Sequence, residues 1–442
     1  MKKLEKRAII CLCLAGVLFL GLCVFVFRFV TQGDQWATFY ANDHIYSQGR
    51  LSIGNIYDIN GNLLASNTPE GIVYSEDSLV REATLHAVGD KDGNISTSAE
   101  SAFKSQIVGY SLLTGTYSLT GRGNDITLTI DQDVCKTAYD ALNGRDGTVG
   151  VYNYETGEII CMVSSPSFDP EDPPTLSEDD TSGVYLNKFL SSTFAPGSIF
   201  KLVTSAAAIE NKSDLDSWSY TCSGANVIAG EKITCTSAHG TVDFEEALAQ
   251  SCNCAYAELT EEIGPTLMAE YVKKCGLTTS YDINGVGTAE GSFEFPKDTP
   301  LNLAWAGIGQ YNDEINPCSM MVYMGAIANG GKAAEPKLIH SSLSVTSHTD
   351  RMIDESTATK LQSMMKNNVE SNYGTYNYPD LDIYAKSGTA EVSGRQPTAG
   401  FSGFIKNEGY PYAFIVCVEN GGYGSSVAGP IATKVLQEII SE

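Results

Sequence analysis

The sequence predicts an α+β fold, an antiparallel sheet flanked by helices, with an N-terminal transmembrane helix and a small strand-rich proximal module. Three observations carry this expectation. Twenty consecutive residues, Ala8 to Phe27, carry no charge. A strand pair near residues 147–163 is matched by further strand patterns only beyond residue 380. Segments of helical composition fill the interval between them, and strands and helices segregated in this way mark α+β rather than alternating α/β architecture.

The apolar run is long enough, at about 1.5 Å per residue, to cross a hydrocarbon core of roughly 30 Å. Lys2, Lys3, Lys6 and Arg7 precede it and Arg28 alone follows, so the positive-inside bias keeps residues 1–7 cytoplasmic and places the remainder outside. The run ends in Phe25-Val26-Phe27-Arg28-Phe29, which offers no small-residue cleavage site, so it reads as an anchor and not as a cleaved signal. Residues 1–30 thus form a cytoplasmic tail and anchor, 31–125 a membrane-proximal module and 126–442 the main domain. The proximal module is polar, with short β-type stretches such as Asn55–Asp58, a turn signal at Asn60-Gly61, and Leu63–Ala65.

From Asp125 the pattern sharpens. Ile126 to Ile130 alternates as a half-buried strand does, and Asp131 is placed to cap a helix from Gln132 to Leu142. Gly147–Asn153 and Glu158–Val163, joined by Glu155-Thr156-Gly157, read as a hairpin. Pro166 to Ser182, with the acidic run Glu178-Asp179-Asp180, reads as a solvated loop. Ala206–Glu210, Phe244–Ala249, Ala255–Ile263 and Leu267–Cys275 have helical composition. Tyr384–Ala385, Ala399–Ile405 and Tyr412–Val418 read as late strands before a terminal helix, Ala428–Ile440.

Charge narrows the function. The formal net charge of −25 is the sum of +4 over residues 1–30 and −29 over the rest, which excludes a basic nucleic-acid binder. Twelve cysteines are present, three of them in the anchor. Cys222 and Cys235 bracket a glycine-containing loop and could bridge; Cys252 and Cys254 are too close to bridge easily within one helix. No paired CxxC or CxxH clusters suggest a zinc site, His239 in its polar loop reads as structural, and neither a metal nor another cofactor is expected.

Three fragments could carry chemistry. Pro196-Gly197 followed by an apolar helical run puts Ser198 at a helix N-terminus with Lys201 on the same face, where the amine can reach the hydroxyl. A serine is a weak nucleophile until a base takes its proton, and a lysine acts as base only when burial or nearby cations lower its pKa. Ser251-Cys252-Asn253 offers a hydroxyl and an amide on alternate residues. Lys386-Ser387-Gly388-Thr389 supplies a cation and two hydroxyls, with Gly388 clearing space where a substrate backbone could approach.

In this order the fragments match S-x-x-K, S-x-N and K-[ST]-G, and the chain resembles the penicillin-binding proteins and serine β-lactamases. Glu155–Pro166, Phe194–Ser198, His239-Gly240, Gly307–Gln310 and Ala328–Gly331 are similar to the transpeptidase domain of class B penicillin-binding proteins, and Gly54–Ala65 resembles that family's proximal segment. The short proximal module fits the smaller elongation- or spore-associated members. Ile53 and Ile59 depart from the family, which usually has arginines there, and Tyr311-Asn312 replaces a usual further glycine.

The resemblance implies a penicillin-binding/serine β-lactamase-like transpeptidase domain acting on D-Ala-D-Ala stem peptides of peptidoglycan and acylated by β-lactams. It implies Ser198 as nucleophile, Lys201 as base, Ser251, Asn253 and Lys386 in proton relay and polarisation, and Ser387, Gly388 and Thr389 in binding the substrate, with the backbone N–H groups of Ser198 and Thr389 as oxyanion hole. It also implies a membrane glycan polymerase as partner. A D,D-carboxypeptidase, a β-lactamase-type hydrolase and a penicillin-binding sensor or scaffold are the competing expectations.

Overall fold

A computed structural model describes residues 2–37, 54–68, 71–108, 110–111, 116–117, 123–177, 179–341, 345–392 and 394–441. Ile53 and Glu178, both singled out above, lie outside the described residues. Helix α1, Lys2–Ala37, contains the apolar segment Glu5–Thr31, none of which is buried against the rest of the chain. A 27-residue exposed apolar stretch of this kind is long enough to cross a bilayer.

The proximal segment is more mixed than its composition implied. Strands β1 (Ile56–Tyr57), β2 (Leu63–Thr68) and β3 (Gly71–Tyr74) are followed by helix α2, Ser78–Val88, which Asp77 caps by accepting from the Leu79 N–H. Seven of the eleven residues of α2 are buried, among them His86. Strand β4, Ile126–Thr127, pairs parallel with β1 and completes a four-stranded sheet in the order β3-β2-β1-β4. The strand expected over Ile126–Ile130 is therefore short: beyond Thr127, Leu128 makes a bridge to Ile339, and the Thr129 hydroxyl donates to the Ile159 carbonyl.

Helix α3 spans Gln132–Leu142 as its cap signal foretold, with the Asp131 carboxylate accepting from the N–H groups of Asp133 and Val134. The hairpin follows as β5 (Gly147–Asn153) and β6 (Ile159–Ser165). A 3₁₀ turn, Gly197–Ile199, leads into helix α4, Lys201–Asn211. Four short strands come next, namely β7 (Ser219–Cys222), β8 (Ala225–Ile228), β9 (Glu231–Thr234) and β10 (Gly240–Asp243), paired as two separate ribbons, β8 with β9 and β7 with β10. Helices α5 (Phe244–Ala249), α6 (Asn253–Ile263), α7 (Pro265–Lys274), α8 (Pro317–Ala328) and α9 (Glu355–Asn368) form the helical region. Strands β11 (Ile383–Ala390), β12 (Thr398–Ile405) and β13 (Tyr412–Val418) precede the last helix, α10, Gly424–Ser441.

The main sheet has the order β11-β12-β13-β5-β6, antiparallel throughout, so the early hairpin and the late strands meet at β13 and β5. Helix α8 packs on β12, β13 and β5, while α3 and α10, packed on each other, cover β6, β12 and β13. Every residue of β12 is buried, as is every residue of α8, so both sheet faces are closed over. The helix and sheet approach closely at Gly325, where an added Cβ would lie 1.9 Å from the hydroxyl of the buried Tyr152. Gly325→Ala is expected to cost about 1–3 kcal/mol through this overlap. A thermal unfolding midpoint equal to that of the parent chain would show that the contact gives way freely.

Candidate active site

The three sequence fragments converge on one cleft of about 920 Å³, lined among others by Ser198, Ser251, Asn253, Ser387, Thr389, Tyr373, Trp305 and Gln310. Each fragment arrives on a different element. Ser198 sits in the turn just before α4, and Lys201 opens that helix, which brings the two side chains together at i, i+3. Ser251 lies in the connection between α5 and α6, at a left-handed φ of 52°, and Asn253 is the first residue of α6. Lys386 to Thr389 belong to β11, the edge strand of the main sheet.

Strand alternation puts Ser387 and Thr389 on the cleft side, while Lys386 and Gly388 are buried. The vacancy at Gly388 is filled from within the protein. A Cβ there would stand 2.5 Å from the Pro196 carbonyl oxygen and 3.0 Å from Ile199, so the missing side chain admits the Ser198 turn rather than a substrate backbone. Gly197 reciprocates from the turn, with a φ of +55° and a would-be Cβ 2.8 Å from the Thr389 carbonyl oxygen. Two glycines thus set how closely the Ser198 turn and β11 approach.

Lys201 is fully buried, and its Nζ lies within donor distance of four oxygens: Ser198 Oγ at 3.1 Å, the Ser251 carbonyl at 2.7 Å, Ser251 Oγ at 3.2 Å and Asn253 Oδ1 at 2.8 Å. It also stands 5.5 Å from the centroid of the Tyr256 ring. Lys386, equally buried, donates to Ser251 Oγ at 3.0 Å and to the Ser387 carbonyl at 3.0 Å. Ser251 Oγ is therefore shared by the two amines. Burial pushes the Lys201 ammonium down to about 7, and the charge of Lys386 acts in the same direction. Burial alone brings Lys386 down to about 7. The repulsion between the two ammonium groups is mutual, so the pair readily gives up one proton, and Lys201, with its Nζ 3.1 Å from Ser198 Oγ, is the amine placed to serve as a neutral base beside a retained cation.

Sequence reasoning missed Tyr373. This residue ends a wide π-type turn, Val369–Tyr373, that follows α9. Its hydroxyl accepts from the Ser387 N–H at 2.8 Å and from Asn368 Nδ2 at 2.9 Å, and donates to Ser387 Oγ at 2.9 Å. Asn368 also donates to the Ala385 carbonyl at 2.8 Å. An Asn and a Tyr far from any motif, in a turn with no periodic pattern, give no signal in a single sequence.

The cysteines also depart from their linear spacing. Cys222 and Cys235 are free thiols with Sγ atoms 3.7 Å apart. Together with His239 and Cys252 they place four ligand atoms within 4.8 Å of one another, directly behind the Ser251–Asn253 segment. The short ribbons β7 to β10 bring distant residues together, which a search for closely spaced pairs does not detect.

A family model described as the penicillin binding protein transpeptidase domain matches residues 147–437. The peptidoglycan D,D-transpeptidase PbpA of Mycolicibacterium smegmatis is 27% identical over 362 residues, covering 73% of this chain and 73% of that protein. Stage V sporulation protein D of Bacillus subtilis is 27% identical over 353 residues, which is 72% of this chain and 54% of the longer relative. Among solved structures, the ceftriaxone acyl-enzyme complex of penicillin-binding protein A from M. tuberculosis superimposes with a TM-score of 0.77 at 24% identity, covering 87% of this chain and 97% of that one. That likeness establishes the shared fold.

The lysine pair sets a pH dependence for Ser198. If neutral Lys201 is its base, the rate of Ser198 acylation by a labelled β-lactam should rise through about pH 7, following loss of the Lys201 proton. A rate that is flat between about pH 5.5 and 8.5, with the fold intact, would exclude a base titrating in that range.

Proposed function

The chain belongs to the penicillin-binding protein transpeptidase family, and from that premise we propose that it is a peptidoglycan D,D-transpeptidase working through a Ser198 acyl-enzyme. The observation that carries the proposal is the 3.1 Å contact between Lys201 Nζ and Ser198 Oγ at a fully buried amine. A nucleophile within hydrogen-bond reach of a base, itself oriented by further groups, is the arrangement that covalent catalysis needs.

In the proposed reaction, Ser198 Oγ attacks the carbonyl carbon of the penultimate D-Ala of a donor stem peptide, and its proton passes to neutral Lys201 Nζ. The oxyanion so formed is held by the backbone N–H groups of Ser198 and Thr389. Collapse breaks the peptide bond to the terminal D-Ala, and the leaving amine takes a proton through Ser251 Oγ, which both lysines reach. The product is a Ser198 ester plus free D-Ala. An acceptor amine then attacks the ester, gives its proton back along the same path, and restores the Ser198 hydroxyl as the new peptide bond forms. Asn253, which accepts from Lys201 and donates to the Thr234 carbonyl at 2.9 Å, holds the base in place and presents an amide to the substrate.

Ser387 and Thr389, facing the cleft, and the charge of Lys386 suit the terminal carboxylate of the donor. The same carboxylate and carbonyl placement accounts for acylation by β-lactams. Residues 1–7 are proposed to be cytoplasmic, with α1 crossing the membrane once and residues 126–442 forming the catalytic domain outside; the lysine and arginine asymmetry about the apolar segment supports this. A membrane glycan polymerase is the proposed partner, met by α1 and the proximal module of residues 31–125, since the donor strand must be polymerised before it is cross-linked.

Labelled penicillin should modify the detergent-solubilised full chain about once per molecule, and Ser198→Ala should abolish that modification. Persistent labelling of this variant would remove Ser198 from the reaction. Lys201→Ala should keep its fold but acylate slower by a factor of about 10² or more. A thioester stem mimic supplied with a D-amino acid acceptor separates transfer from hydrolysis. Only hydrolysed product, at every acceptor concentration, would assign the chain to the carboxypeptidase class instead.

A further inference from the structure

We propose that Cys222, Cys235, His239 and Cys252 bind one zinc(II) ion, and that this ion pins the Ser251–Asn253 segment in its working position. The ligand atoms come from four places brought together by the fold: the end of β7, the residue after β9, the residue before β10 and the N-cap of α6. All four lie within 4.8 Å of one another.

The spacing suits a tetrahedral ion. Zinc–sulfur bonds of about 2.3 Å at tetrahedral angles place two sulfurs roughly 3.8 Å apart. Cys235 Sγ is 3.7 Å from Cys222 Sγ and 3.7 Å from Cys252 Sγ. A disulfide would use two of these sulfurs and leave the third without a role. The fourth position falls to His239, whose Nδ1 is buried and has no hydrogen-bond partner among the described residues. A buried ring nitrogen without a partner is costly, and coordination uses its lone pair. Backbone N–H groups already face the sulfurs as they do around bound thiolates, Cys254 N to Cys235 Sγ at 3.3 Å and Ala255 N to Cys252 Sγ at 3.4 Å. The Cys254 thiol, 3.5 Å from Cys235 Sγ, is a fourth sulfur that stands outside the set and donates to the Ile233 carbonyl.

Three thiolates and an imidazole in a closed, partly buried set select zinc over magnesium or calcium, which take oxygen ligands. On binding, three thiols release their protons to solvent and the imidazole coordinates in its neutral form, so no oxidant or reductant enters. The ribbons gain most from the ion. Of the sixteen residues in β7 to β10, only Cys222, Ile228, Ile233 and Val242 are buried, too few to hold the ribbons by apolar packing.

Coupling to catalysis follows from adjacency and rests on the transpeptidase reading above. Cys252 lies between Ser251 and Asn253, and Thr234, next to Cys235, accepts from Asn253 Nδ2 at 2.9 Å. The ion therefore ties the connection that carries Ser251 to the ribbon that holds Asn253, and both residues contact Lys201 Nζ.

Full chain purified in detergent from zinc-supplied cells, under a thiol reductant, should contain about one zinc by elemental analysis, and Cys222→Ser and Cys235→Ser should carry little. Replacement by cobalt(II) in the parent chain should give the intense charge-transfer absorption of several thiolate ligands, altered in His239→Ala. Stripping the zinc should slow penicillin acylation by a factor of about 10 or more, and zinc alone should restore it. Parent chain that lacks metal, holds iron or copper in its place, or has two of these cysteines in a disulfide would overturn the site. Zinc removed with acylation unchanged would overturn its positioning role. Ser198→Ala should keep its zinc; if it does so and still labels, the metal site stands and the catalytic reading fails.

Discussion

Two lysines withdrawn from water around one serine hydroxyl are the constraint on which the rest of this structure depends. Burying an ammonium without compensation is costly, and burying two within reach of the same oxygen adds mutual repulsion. The fold meets that cost with acceptors already fixed in place: the Ser251 carbonyl and Asn253 Oδ1 for Lys201, the Ser387 carbonyl for Lys386, and Ser251 Oγ for both. The remaining strain is relieved by giving up a proton, and this converts an ordinary cation into a base at neutral pH. The proposed chemistry is in that sense a by-product of desolvation, and it would vanish if water reached the amines.

Keeping water out requires three elements from distant parts of the chain to meet without gaps. The Ser198 turn and β11 touch through Gly197 and Gly388, at distances that leave no room for a side chain on either. The connection between α5 and α6 completes the enclosure, with Ser251 held in a left-handed conformation that costs a non-glycine residue about 1 kcal/mol or more. Such a conformation persists only where its surroundings over-determine it, and the hydrogen bonds of Ser251 and Asn253, together with the thiol cluster behind them, do so.

Much of this was legible in the sequence where a local rule governs. Asp131 announced α3 because a cap is a local hydrogen bond, and the alternating strands and ordered motifs gave the antiparallel sheet and the family. What stayed hidden was produced by packing. Helix α8 is apolar on every side and so shows no period, the reason it escaped notice although it underlies the sheet. Gly388 read as clearance for a ligand because a sequence cannot show that Pro196 already occupies the space. Tyr373 and the thiol cluster depend on turns and ribbons whose neighbours are distant in the chain. Residue identity thus located the groups proposed to react, whereas their environment, which sets their protonation, came from the tertiary contacts.

The position of β11 at the rim of its sheet has a consequence for the protein's behaviour in concentrated or crowded surroundings. A strand with one neighbour presents unpaired backbone groups, and such rims ordinarily template the association of chains into aggregates. Here the rim is shielded by the Ser198 turn packed against Gly388 and carries a buried cation, Lys386, within its length. The features that make the strand a wall of the cleft are also those by which β-proteins discourage self-association. Loosening the turn would therefore expose the chain to a colloidal hazard as well as to a loss of the proposed reactivity, so solubility and chemistry depend on the same few contacts.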